Sequence, residues 1–286
     1  MQSTRPPFSS APGRQHGLSL LELMVGIAIG LLTMAVALGA LMATRGISST
    51  VSEASLLQQQ GAYAMRVIGQ QLRQAGSVEL NLAYGRTRAD QTTNLPQPME
   101  PVVFEANSNR DSQTLGGVDS PSSSEFKLST GYMNYQELSY TSSTAISFFR
   151  NCLGEGASDT LILSRFALKD GELVCSGGNT AQPIISNVSD FTVSYLVQDN
   201  SGVKASAPEI SFKTAAQAST PDASTGLANW PNVFGVQVCL ELAGTERVDT
   251  QDATYVNCAG KEVSRDNKLR MVFRNTYQIR SQGKPA

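Results

Sequence analysis

Histidine is almost missing from this chain of 286 residues: the one copy, His16, lies near the amino end. Residues 17–286 therefore hold no Ser-His-Asp or Cys-His catalytic set, no histidine-ligated zinc and no histidine pH switch. Charge is also scarce, at 16% Asp, Glu, Lys and Arg, against roughly a quarter in an ordinary soluble domain. Lys and Arg number 22 and Asp and Glu 24, for a net charge of −2. The basic balance that nucleic-acid binding needs is lacking, so no direct nucleic-acid partner is expected. Phosphate-cradling glycine loops, G-x-G-x-x-G and G-x-S-x-G do not occur. With 24 Gly and 12 Pro the chain is neither collagen-like nor low in complexity. These absences point away from an enzyme and leave no catalytic residue, metal site or cofactor to assign.

What is present is concentrated at the amino end. Residues 1–17 are polar, carry Arg5 and Arg14 and contain no acid. Leu18 to Ala43 then reads LSLLELMVGIAIGLLTMAVALGALMA, with Glu22 its single ionisable side chain. As a helix this run spans roughly 39 Å, more than a bilayer core requires. The basic flank precedes it, which keeps the amino end cytoplasmic and sends residues 44–286 outward. A cleaved secretory signal has a shorter apolar core and a small-residue cleavage site, unlike Met42-Ala43-Thr44-Arg45. A plain signal anchor explains the length but not Glu22, because a carboxylate at membrane depth costs several kcal/mol unless it is paired.

The segment Gly17-Leu18-Ser19-Leu20-Leu21-Glu22-Leu23-Met24-Val25 resembles the class III signal of type IV pilins and type II secretion pseudopilins. The resemblance implies that a prepilin peptidase cuts between Gly17 and Leu18 and that Leu18 becomes the N-methylated first residue. It also implies that Glu22 pairs with the amino-terminal amine of a neighbouring subunit on assembly. Two positions depart from the common pattern: Leu18 stands where most members have Phe, and Gly39 where major pilins often have a kinking proline.

Past the membrane-length run, Ile47, Val51, Ala54, Gly61, Met65, Ile68 and Leu72 recur at spacings of three, four or seven, an amphipathic stripe that continues the helix. Gly76 is placed to cap it. One helix from about Leu18 to Ala75 would be roughly 87 Å long. Residues 77–144 are rich in Asn, Gln, Ser, Thr and Pro and read as a connecting region with few strands. Strand patterns follow at Ala145–Arg150, Asp159–Leu168, Phe191–Val197, Val233–Leu242 and Leu269–Ile279. Lys169-Asp170-Gly171-Glu172 reads as a hairpin turn into Leu173-Val174-Cys175. The expected divisions are a leader over 1–17, the membrane half of the helix over 18–43, an amphipathic half over 44–76, a connector over 77–144 and a β-rich domain over 145–286. The fold class is α+β, pilin-like: a long amino-terminal helix packed on a carboxy-terminal antiparallel sheet domain.

The blocks Asp159–Leu163, Ile185–Val188 leading into Phe191–Tyr195, Val236–Leu240 and Phe273–Arg280 resemble PilW-type minor pilins. That resemblance implies a non-enzymatic subunit at or near a type IV pilus tip, helping to initiate assembly. The implied partners are prepilin peptidase, other minor pilins and the major pilin, with a tip adhesin as a further candidate. Before assembly the chain would sit in the inner membrane with its β domain periplasmic; afterwards it would lie in the pilus outside the cell. A minor pseudopilin of type II secretion, similar to the J subunit, is the nearest alternative. A signal-anchored periplasmic enzyme or binding protein is another.

Cys152, Cys175, Cys239 and Cys258 all fall on the outward side, where four cysteines suggest two disulfides. Three pairings are open. Cys152–Cys175 and Cys239–Cys258 are favoured, the first because it brackets one hairpin and the second because it links consecutive elements. No C-x-x-C supports a metal site instead. Asp199-Asn200-Ser201-Gly202 lacks the later ligands of a calcium loop and reads as a turn. Asn187-Val188-Ser189 is an uninformative sequon, Trp230 a packed aromatic, and Asp249 and Asp252 a chance pair of acids.

Overall fold

The computed structural model describes residues 17, 19–81, 87–89, 96–98, 103–105, 113–139, 142–156, 161–178, 181–199, 209–221, 228–248 and 252–279. Outside them lie the leader residues 1–16, Leu18, Asn200–Gly202 of the expected turn, Asp249 and Arg280. The chain divides into two compact units, Met1–Val51 and Ser52–Ala286. Helix α1 (Leu20–Gln74) contributes to both. The division falls inside the helix, after the apolar run has stopped at Ala43.

Among the described residues the first unit holds α1 as far as Val51, that is, the apolar run and the polar turns after it. Helix α1 is the one helix among the described residues long and apolar enough to cross a membrane.

The second unit is built from the rest of α1 and a set of antiparallel strands. Four three-residue strands, β1 (Glu79–Asn81), β2 (Thr87–Ala89), β3 (Pro96–Pro98) and β4 (Val103–Glu105), pair as β1–β4 and β2–β3. Then come β5 (Leu115–Gly116), β6 (Leu128–Met133), β7 (Gln136–Ser139), β8 (Ser142–Ser147), β9 (Leu161–Lys169), β10 (Glu172–Ser176), β11 (Ala181–Ile185), β12 (Val188–Asp199) and β13 (Glu209–Lys213). A short helix α2 (Ala215–Ser219) precedes β14 (Val233–Arg247), β15 (Thr254–Val256), β16 (Glu262–Ser264) and β17 (Lys268–Gln278). Two sheets form the body, one ordered β11-β10-β9-β6-β5 and the other β13-β12-β14-β17. The small ladders β7–β8 and β15–β16 complete the unit.

The reading of 77–144 as a connector with few strands is corrected here: β1 to β7 lie in it, and β6 is an interior strand. Its sequence, Leu128-Ser-Thr-Gly-Tyr-Met133, hides a buried strand behind polar side chains. Thr130 tolerates burial because its hydroxyl donates to the Ser164 carbonyl at 3.4 Å. The strand expected at Ala145–Arg150 begins earlier, at Ser142, and ends at Ser147.

Elsewhere local chemistry explains the elements. β9 and β10 are joined by Asp170 and Gly171, with φ of 50° and 76°. Two successive positive φ values match the twist of a tight hairpin, and Asp-Gly adopts them at low cost. In β12, Phe191, Val193, Tyr195 and Val197 are buried while the residues between them are half-buried, as a strand with one face on the core requires. Trp230 is buried and its ring meets Tyr195 edge-on, centroids 4.9 Å apart. Gly76 ends α1 with φ of 68° and donates its N–H to the Gly131 carbonyl at 2.8 Å, a left-handed cap. Disulfides join Cys152 to Cys175 and Cys239 to Cys258, with Cα separations of 6.2 and 5.6 Å. The chain-entropy model assigns each loop about 3 kcal/mol of stabilisation.

Candidate functional site

Two features could carry function: the bare start of α1 and the seat that holds its later turns. Gly17 and Ser19 precede the helix, and Glu22 lies in its first turn. The Leu23 N–H donates to the Ser19 carbonyl at 3.1 Å, so helical bonding begins at Ser19. Glu22 is exposed, and among the described residues it has no ion-pair partner. Around it Leu20, Leu21, Leu23 and Met24 are 56% to 76% exposed. So much contiguous apolar surface is not stable in water and needs lipid or protein against it. In either setting a lone carboxylate also needs a counter-charge.

One signal in this stretch went unread at the sequence level. Gly26 and Gly30 are four residues apart on one helix face, and a Cβ at either would meet nothing within 4 Å. The G-x-x-x-G spacing lets another helix approach closely.

From Ser52 onward the helix is seated in its own unit. Leu57, Ala64, Ile68 and Leu72 are fully buried. The expected stripe contains Ile68 and Leu72 but not Leu57 or Ala64; Val51, one of its members, is 63% exposed, and the Ile47 side chain lies outside the described residues. Two glycines make the seat. A Cβ at Gly61 would lie 2.3 Å from a Phe273 ring carbon, and one at Gly69 2.3 Å from Tyr277. Both aromatic rings of β17 rest where the helix has no side chain. The Tyr277 hydroxyl donates to the Met65 carbonyl at 2.7 Å.

Polar groups fix the helix further. Gln71, 2% exposed, accepts at Oε1 from the hydroxyls of Tyr132 and Ser164, each at 2.8 Å, and its Nε2 donates to the Arg150 carbonyl at 3.3 Å. Burial pushes the Tyr132 hydroxyl well above its ordinary pKa, against a smaller opposing effect of the Gln71 bond. Glu53 Oε1 accepts the backbone N–H groups of Thr245 and Glu246 at 2.6 and 3.0 Å.

The buried carboxylate of the sheets is Glu241, 5% exposed. Arg270 reaches its Oε1 at 3.3 Å, Ser189 Oγ donates at 3.0 Å, and the Tyr255 hydroxyl donates to the same oxygen. Burial and then the Glu241 bond and charge push Tyr255 up to about 12, against the lowering effect of Arg270. Asp190, Glu241 and Cys258 place ligand atoms within 4.8 Å of one another. Cys258 is bonded to Cys239 and Glu241 is already neutralised by Arg270, so this set does not suit a metal ion.

Comparison with known proteins adds two family matches. Residues 154–281 match the family described as type IV pilus-assembly protein W. Residues 12–38 match the prokaryotic N-terminal methylation motif, which contains Gly17, Leu18 and Glu22. No curated protein matches the chain. Among solved structures, a type IV-like pilin from Thermus thermophilus is 11% identical, with 59% of this chain and 83% of that one covered and a TM-score of 0.29.

Proposed function

We propose, from the match of residues 154–281 to the family described as type IV pilus-assembly protein W, that this chain is a minor pilus subunit incorporated at or near the tip. There it helps to initiate polymerisation with other minor pilins, bridging to the major pilin below and to an adhesin above. The family is structural, so the chain is a pilus-assembly protein and not an enzyme, with pilins as its partners. The methylation motif implies processing by prepilin peptidase, and the motif with its apolar helix implies inner-membrane anchoring before assembly.

In this reading the cut falls between Gly17 and Leu18, and the new Leu18 amine is methylated. Glu22 is the residue on which assembly turns. It is costly while the subunit is in lipid and is satisfied when a neighbour's amino terminus supplies the counter-charge. That difference favours extraction into the filament and sets the axial register. The observation that carries the reading is Glu22, which has no ion-pair partner among the described residues and lies in the first turn of α1, in a stretch that is otherwise apolar and exposed and follows a glycine. The family match over the β domain favours the pilus over a secretion pseudopilus.

The test is Glu22→Ala in cells that make pili. The variant should accumulate in the membrane at the unaltered level and be largely lost from sheared filaments. Unchanged recovery from filaments would refute the role.

A further inference from the structure

The four-stranded sheet ends on β13, and among the described residues this strand is laddered only to β12. Ile210 and Phe212 are 57% and 58% exposed. They share the outer face of the sheet with Leu196, which stands opposite Phe212 and is half-buried. Edge strands are ordinarily kept from pairing by charged side chains or proline. Here the middle of the edge carries two large apolar residues, and its charges stand at the two ends.

The strand Glu209-Ile-Ser-Phe-Lys213 is its own antiparallel complement. In a two-fold pair centred on Ser211, position 209 of one copy faces position 213 of the other, and 210 faces 212. Each acid position then meets a lysine position and each isoleucine a phenylalanine, both favourable cross-strand pairs.

We propose that β13 is a homotypic docking edge, through which two copies of this chain join antiparallel about a two-fold axis at Ser211. The inference uses only the strand and stands apart from the pilus reading. Main-chain hydrogen bonds give the pair its attraction and the alternating side chains give it its register. Its area is below that of a permanent interface, so it is a contact that covalent capture can hold.

The test uses the full chain in membranes, under mild oxidation. The proposed axis sets the two Ser211 positions opposite each other, with Cα atoms about 4.5–5.5 Å apart, a separation a disulfide spans. Ser211→Cys should give a covalent homodimer, identified by mass, about ten-fold more abundant than Lys213→Cys gives. In the latter the two cysteines would be four residues out of register, roughly 13 Å apart. Adding Glu209→Lys to Ser211→Cys should lower the dimer several-fold, and adding Lys213→Glu as well should restore it. Restoration separates lost complementarity from a misfolded strand. Dimer no more abundant than with Lys213→Cys, indifference to Glu209→Lys, no restoration, or capture of a different protein would each overturn the proposal.

Discussion

Between Leu20 and Met42 the leucines, isoleucines, valines and methionines of α1 are 48% to 76% exposed, whereas Leu57, Ala64, Ile68 and Leu72 are fully buried. The more hydrophobic stretch is the bare one. The seated stretch is built from a few aliphatics, two glycines that admit aromatic rings and a glutamine whose polar atoms are satisfied. Hydrophobicity alone therefore does not say where a helix is packed within its own fold. The seat is specified by shape and hydrogen bonding. The bare stretch is a surface kept for lipid or other chains. The two carboxylates repeat the contrast: Glu241 is held by Arg270, Tyr255 and Ser189, while Glu22 has no ion-pair partner among the described residues.

The same substitution, glycine to valine, should have contrasting consequences in the two stretches. Gly69→Val would drive its side chain into Tyr277 and displace the hydroxyl from Met65, costing about 2–3 kcal/mol of the β domain's stability. Gly30→Val meets nothing within 4 Å and should leave that stability unchanged. Denaturant unfolding of the full chain in detergent, followed by tryptophan fluorescence from Trp230, would measure both. Equal losses would mean that the two stretches do not differ as described.

A smaller effect comes from Tyr255. Its folded-state pKa is raised to about 12, above the ordinary value of about 10. Above pH 10 the unfolded chain releases this proton first, so stability falls as pH rises from about 10 to 12 and is unaffected by this group below that window. Tyr255→Phe should flatten part of the alkaline loss, with the remainder carried by the other tyrosines whose hydroxyls burial raises. An identical alkaline profile in the variant would show that the Glu241 cluster does not hold Tyr255 protonated.

Legibility in the sequence followed the strength of local signals. The apolar run, the Gly76 cap, the Asp170-Gly171 hairpin and the alternation of Phe191–Val197 state their structures in their own residues. β6 does not, because Ser129, Thr130 and Gly131 interrupt its apolar pattern and Thr130 is buried only by virtue of a partner on β9. β13 was missed for the opposite reason: its large apolar residues face outward, so it has no buried periodicity to read. Gln71 is invisible as a core residue until Tyr132 and Ser164 are brought to it across the fold. In the candidate site, Glu22 stands out as the one acid in a membrane-length run, whereas Gly17 and Leu18 are legible only through the resemblance of their segment to the class III signal of pilins. Gly26 and Gly30 were passed over, although their spacing was in plain view.

In the proposed function the bare stretch is an assembly element, created by cleavage and completed by a neighbour. The intact mass of the protein recovered from sheared pili tests it most directly. The expected chain starts at Leu18 and carries one added methyl group on its amine. A chain that still starts at Met1, found only in the membrane, would contradict it.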